Sequence, residues 1–162
     1  MATYVSSRRF GGTRRWDDPF AGTSPASFEY LVPVARILFA AIFLLSIPHL
    51  FSPQSVASAI QHGVPVAAAA VPVAGVIALV GGLSVCLGFK ARLGGWLLVV
   101  FLVPVTLWMH DFWNAADPVA AQMDQINFLK NLSLVGGALL IAYFGAGPFS
   151  IDWAMRARRA PR

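Results

Sequence analysis

Four long apolar runs, Leu31–Phe51, Pro65–Phe89, Leu93–Met109 and Asn131–Phe149, constrain this chain more than any other feature. Crossing the hydrocarbon core of a bilayer takes about 20 apolar residues, with a working range near 17–25, and every run has that reach. The second, third and fourth carry no charged side chain. They lack the alternation of period two that a strand needs and contain paired glycines. In lipid a helix satisfies its backbone hydrogen bonds internally. The expected fold is therefore an all-α membrane protein, a four-helix transmembrane bundle with a short interfacial helix between spans one and two. Composition agrees: 57% of the 162 residues are hydrophobic and 12% charged, against roughly 25% charged in soluble domains.

The net charge of +5 would suit nucleic acid, but its distribution points to the anionic surface of a membrane. Ten of the twelve Lys and Arg fall on one side: Arg8, Arg9, Arg14 and Arg15 before the first span, Lys90 and Arg92 between the second and third, and Arg156, Arg158, Arg159 and Arg162 after the fourth. The loops at 52–64 and 110–127 have no Lys or Arg and carry Asp111, Asp117 and Asp124. Under the positive-inside rule both termini are cytoplasmic. Residues 1–29 read as a disordered basic tail, 30–153 as the membrane domain and 154–162 as a second basic tail. Arg8-Arg9 has the order of a twin-arginine export signal, but the apolar run begins too late and lacks a cleavage site. Cys86 is the only cysteine, which removes an intrachain disulfide and a C-x-x-C redox pair.

Local signals fill in the bundle. Ser52-Pro53 and Asp117-Pro118 both read as an N-cap followed by proline at the first helical position. The first predicts a short helix through about Gln61, stopped by Gly63-Val64-Pro65. The second predicts that the fourth helix starts in the outer aqueous region and enters the bilayer near Asn127–Lys130. Gly75, Gly81, Gly82 and Ser84, with the pairs Gly94-Gly95 and Gly136-Gly137, allow helices to approach closely. Trp108 and Trp113 read as interfacial anchors at the outer face and Trp153 at the cytoplasmic one. Arg36, near the cytoplasmic end of span one, reads as a snorkelling side chain with its charge in the headgroups, and Glu29 on the same face is a candidate partner.

The stretch Thr106–Leu134 holds most of the polar chemistry between the termini. His49, His110, Asp111, Asn127, Lys130 and Asn131 fall near the outer end of the bundle, and ionisable groups at such depths tend to face a bundle interior or a water-filled cavity. Thr106 and His110 share a face one turn apart. Several readings stay open. Asp111 and Lys130 can neutralise each other as a structural pair. Alternatively the cluster is a quinone-headgroup site, with His110 exchanging protons, Lys130 stabilising negative charge, Asp111 orienting, and His49, Thr106, Trp113, Asn127 and Asn131 lining it. Haem b held by His49 and His110 is a third reading. No spaced metal-ligand set, nucleophile triad, phosphate loop or H-E-x-x-H motif is present.

From about Val34 to Asp152 the chain resembles the DoxX family of small four-span bacterial membrane proteins. The resemblance rests on Ala35-Arg36-Ile37 leading to Ser46 and His49, on Gly81-Gly82 and Leu87-Gly88-Phe89-Lys90-Ala91-Arg92-Leu93, and on His110-Asp111-Phe112-Trp113 with Asn127-Phe128-Leu129-Lys130-Asn131-Leu132. The closing Gly145-Ala146-Gly147-Pro148 and Ser150-Ile151-Asp152 also match. It implies a multi-pass protein of the bacterial inner membrane and a part in a quinone-linked oxidoreductase, with links to sulfur and thiol redox homeostasis. Its catalytic residues would be His110, Asp111 and Lys130, its cofactor a quinone, and its partners soluble redox enzymes at the cytoplasmic face. Many such relatives carry glutamate where this chain has Ala78. Two rival functions remain beside it: a non-catalytic scaffold subunit that docks partner proteins through its basic tails, and a small-molecule permease.

Overall fold

The computed structural model describes residues 29–159, which contain seven helices and no strand. They are α1 (Leu31–Leu45), α2 (Ile47–Leu50), α3 (Pro53–Gln61), α4 (Ala67–Leu87), α5 (Ala91–Met109), α6 (Pro118–Phe144) and α7 (Ile151–Arg159). Four helical segments are long and apolar enough to cross a membrane: Leu31–Leu50, which joins α1 and α2, then α4, α5 and α6. Apart from Glu29, the tail expected over 1–29 lies outside the described residues.

Helix ends follow local chemistry. The Ser52 side chain accepts from the Ser55 amide at 3.3 Å, with Pro53 opening α3. Asp117 accepts from the Ala120 amide at 3.0 Å, with Pro118 opening α6. Helix α4 ends at Gly88, whose φ of +65° lies in the left-handed region that favours glycine. Lys90 then adopts φ +48° to start α5. Such a turn is tight enough to place Gly88–Ala91 directly over the bundle end.

Sequence neighbours pack side by side: α1 on α4, α4 on α5, and α5 on α6. Phe39 of α1 reaches Gly137 of α6, where a Cβ would sit 2.8 Å from the ring, and so closes the bundle. Around the axis lie Ala40, Phe43, Ala78, Val85, Leu98, Phe101, Leu102 and Ala138. Small residues set the spacing, as packing in lipid requires. A Cβ on Gly95 would meet the Ala138 carbonyl and the Ala142 amide at 2.8 Å, and one on Gly81 would meet Leu98 at 2.9 Å. Gly136, by contrast, has nothing within 4 Å. Leu38, Leu45, Val100, Leu140 and Tyr143 are exposed on the outside of the bundle, as hydrocarbon-facing side chains are. Ala78 is fully buried in the core, so the carboxylate that the resemblance put there would enter a packed apolar centre.

Beyond α6 the chain unwinds at Gly145–Ser150 and re-forms as α7. Helix α7 crosses the boundary drawn at 153/154 between membrane domain and tail. Its start is made by Ser150, whose hydroxyl donates to the Gly147 carbonyl at 2.7 Å and accepts from the Trp153 amide at 3.1 Å.

Candidate functional site

The polar residues singled out near the outer end form three local groups. His110 terminates α5, and its Nδ1 lies 3.5 Å from Asp124 Oδ1 on α6. Asp111 accepts from Asn114 Nδ2 at 2.9 Å within the α5–α6 turn. Lys130 is exposed and donates to Asn127 Oδ1 at 2.9 Å, one turn away on its own helix. Thr106 and Asn131 are buried, and the Thr106 hydroxyl bonds back to the Leu102 carbonyl at 2.6 Å. Trp113 packs edge-on to Phe112 and Phe128, at 5.1 and 5.9 Å between ring centroids. His49 is exposed on α2, and its carbonyl accepts from Ser55 Oγ at 2.7 Å. The hydrogen bonds thus join His110 to Asp124 and Lys130 to Asn127. Among the described residues none joins Lys130 to Asp111 or to His110, and no group of three or more His, Cys, Asp or Glu is placed to hold a metal ion.

The most highly organised polar structure lies at the other end, around a residue read from sequence as a snorkelling cation. Arg36 is 6% exposed. Its Nη1 donates to the Ala146 carbonyl and its Nη2 to the Phe149 carbonyl at 2.8 Å, while Nε has no protein partner. Glu29 does not pair with it: among the described residues no carboxylate comes within ion-pair distance of the guanidinium. The unwound segment after α6 supplies the acceptors, because carbonyls that leave a helix end have no intrahelical donor. An intramembrane arginine satisfied by backbone carbonyls is one of the few ways a charge persists at that depth.

A second ionisable residue completes the arrangement. Asp152, in the first turn of α7, accepts from the amides of Lys90 at 2.8 Å and Ala91 at 3.1 Å, one on each carboxylate oxygen. These amides open α5, so the carboxylate caps that helix from across the bundle and complements its dipole. In return the Asp152 amide donates to the Gly88 carbonyl at 2.9 Å. Ser84 of α4 donates to the Phe89 carbonyl at 2.6 Å. Gly88 sits between the parts: a Cβ there would lie 2.5 Å from Ser150 Cβ and 2.7 Å from Arg36 Nη1. Tyr30 stacks on Phe149 with centroids 4.9 Å apart, which fastens the start of α1 to the same segment.

Arg36 and Asp152 therefore tie α1, the α4–α5 turn and the α6–α7 segment into one clasp. Outside it Lys90, Arg92, Arg156 and Arg158 are exposed. A shallow depression of about 360 Å³ is lined by Lys90, Arg92, Leu93, Asp152, Met155 and Arg156. Chemically the clasp is a fixed frame for a cationic surface: its carboxylate and guanidinium are spent on backbone groups, and the remaining cations face outward. The sequence signals for it were a lone charge in an otherwise apolar first span and a Ser-x-Asp after a glycine-rich helix end.

Three relatives put this architecture in context. The chain is 30% identical over 130 residues to the inner membrane protein YphA of Escherichia coli, covering 78% of this chain and 91% of YphA. It is 35% identical over 68 residues to protein T02E1.7 of Caenorhabditis elegans and 26% identical over 77 residues to the ER-derived vesicles protein ERV29 of Saccharomyces cerevisiae. Those two matches take in 42% and 48% of this chain but only 24% of each relative. No solved structure matches. The family whose model matches is described as the SURF4 family, over residues 26–157. This overturns the resemblance to DoxX, and with it the quinone-linked oxidoreductase expected on its strength. The paired glycines, basic turn and membrane-face aromatics behind that resemblance answer to needs that small four-span bundles share, and its more specific segments, His110–Trp113 and Asn127–Leu132, are short beside a family match over residues 26–157. Matched from ahead of α1 into α7, with Arg36, Gly88 and Asp152 all inside the match, this multi-pass membrane chain belongs to the SURF4 family.

Proposed function

We propose that this chain is a non-catalytic membrane adaptor, in which the bundle holds a basic face in fixed shape for partner proteins to dock on. The observation that carries it is the use made of the buried polar groups: Arg36 and Asp152 bind backbone and hold the face together, leaving Lys90, Arg92, Arg156 and Arg158 free on its surface. The relatives lend support. YphA is an inner membrane protein by name, and ERV29 is named for vesicles derived from the ER. The basic face and both termini lie on the cytoplasmic side of a bacterial inner membrane, by the same charge asymmetry.

The test is site-specific photo-crosslinking in cells. A photoreactive residue at the exposed position 157 gives a discrete protein adduct, which charge reversal at Arg156 and Arg158 removes. The same probe at position 114, on the opposite face, does not give that adduct. Adducts that are equal at the two positions, or indifferent to charge reversal, overturn the reading. Thiol labelling in a Cys86→Ala background checks the orientation: a cysteine at 158 reacts only from the cytoplasmic side, and one at 114 only from the outer side. The reverse pattern refutes it.

A further inference from the structure

The depression on the basic face has an apolar neighbour. Lys90 and Leu93 also line a second hollow of about 350 Å³, which runs between α4 and α5 past Val80, Leu83, Leu87, Phe89 and Leu97. Its walls are almost wholly apolar, and Val80, Leu83, Leu87 and Leu93 are exposed to the surroundings of the bundle. The two hollows adjoin at Lys90 and Leu93, which line both, and together present a cationic rim beside an apolar floor. The Lys90 ammonium stands at the junction, 5.7 Å from the centroid of the Phe89 ring.

From these observations we infer that the feature is a binding site for an anionic phospholipid, with its phosphate among Lys90, Arg92 and Arg156 and an acyl chain in the α4–α5 groove. Charge and shape both select that occupant. The rim brings three cations against a single carboxylate, and both oxygens of Asp152 are already held by the Lys90 and Ala91 amides. Guanidinium and ammonium groups together suit a phosphodiester. From Val80 to Leu87 the floor extends about 10 Å at 1.5 Å per residue, against roughly 15 Å of hydrocarbon in one leaflet. A soluble acidic peptide would leave the groove empty, and a neutral lipid would leave the cations unmatched. The groove runs along the candidate membrane spans α4 and α5 and is bordered by exposed apolar side chains. Basic residues at a membrane surface attract anionic lipids; here they are joined to a fixed path for the tail. The site shares Lys90, Arg92 and Arg156 with the proposed docking face, but its test uses lipid alone and no partner protein, so the two readings fail separately.

The experiment is native mass spectrometry of the purified full-length protein with phosphatidylglycerol and phosphatidylcholine of equal chain length. The wild type retains phosphatidylglycerol preferentially. Replacing Lys90, Arg92 and Arg156 together by glutamine removes the preference, with about a fivefold loss per cation. The charge-conserving set K90R, R92K and R156K keeps it, which separates charge from misfolding. Leu83→Trp, which fills the groove and leaves the cations in place, weakens the long-chain lipid but leaves glycerol 3-phosphate unaffected as a competitor. Equal retention of the two lipids by the wild type overturns the proposal, as does a preference that survives the glutamine set. Glycerol 3-phosphate competing on equal terms, with no effect of Leu83→Trp, shows a bare anion site and overturns it too.

Discussion

Arg36→Met is the most informative single change. Methionine is unbranched and apolar, so the substitution removes the guanidinium while roughly keeping the bulk of the side chain. Two hydrogen bonds are lost, to the carbonyls of Ala146 and Phe149. Bonds from a charged donor contribute about 1.5–3 kcal/mol each, so the gross loss is about 3–6 kcal/mol. Against it stands the relief of a buried cation whose Nε has no partner, about 1–3 kcal/mol for one unsatisfied buried group. The net expectation, taken at the centre of each range, is a destabilisation of about 2–3 kcal/mol, because removing one member of a buried charged arrangement leaves the other members unpaired. The assay is reversible unfolding in mixed detergent micelles, followed by the fluorescence of the five tryptophans, of which Trp153 reports on α7. A variant within about 0.5 kcal/mol of the wild type, the scale of an unimportant surface change, would refute the reasoning. Such a result would return Arg36 to the snorkelling cation that its sequence position suggests.

Gly88→Ala must place a Cβ against Ser150 and Arg36 at φ +65°, and it costs more than about 2 kcal/mol in the same unfolding assay, combining left-handed strain with overpacking. Gly95→Ala meets the backbone of α6 and is destabilising by about 1–3 kcal/mol. Gly136→Ala, with open space around it, is neutral or stabilising by up to about 1 kcal/mol through helix propensity; equal effects of the two would contradict the packing described. His110→Ala breaks a half-exposed pair at 3.5 Å with Asp124 and changes stability by less than about 1 kcal/mol. A larger loss would assign the outer end a structural weight that these contacts do not give it.

Spans and caps were legible in the sequence because they depend on neighbours along the chain. A charge-free apolar run of the right length, a serine or aspartate before proline, and a glycine after a helix each carry their meaning within a few residues. The outer polar group was legible only in depth. Topology puts Lys130 and His110 near one level, but their rotation about the helix axes is set by packing. That rotation turns Lys130 outward onto Asn127 while His110 meets Asp124. The clasp was beyond local reading. Arg36 and Ala146 are 110 positions apart, and Asp152 reaches back 61 and 62 positions to α5. No periodicity records such a meeting, so Arg36 was read by the common behaviour of near-end cations. Helix α7 was missed for a related reason: its basic residues read as a tail, and the Ser150 cap shows only once the Gly145–Ser150 turn has a shape.

Hydrogen–deuterium exchange of the protein in lipid nanodiscs tests the clasp most directly, at the amides of Lys90, Ala91 and Asp152. In the wild type all three are expected to be protected, since the first two donate to the Asp152 carboxylate and the third to the Gly88 carbonyl. Asp152→Ala and Arg36→Met should each release the three together while the centre of α5 around Leu98 stays protected. Wild-type amides that exchange as fast as unstructured chain would contradict a locked basic face, as would Lys90 and Ala91 amides whose protection survives Asp152→Ala.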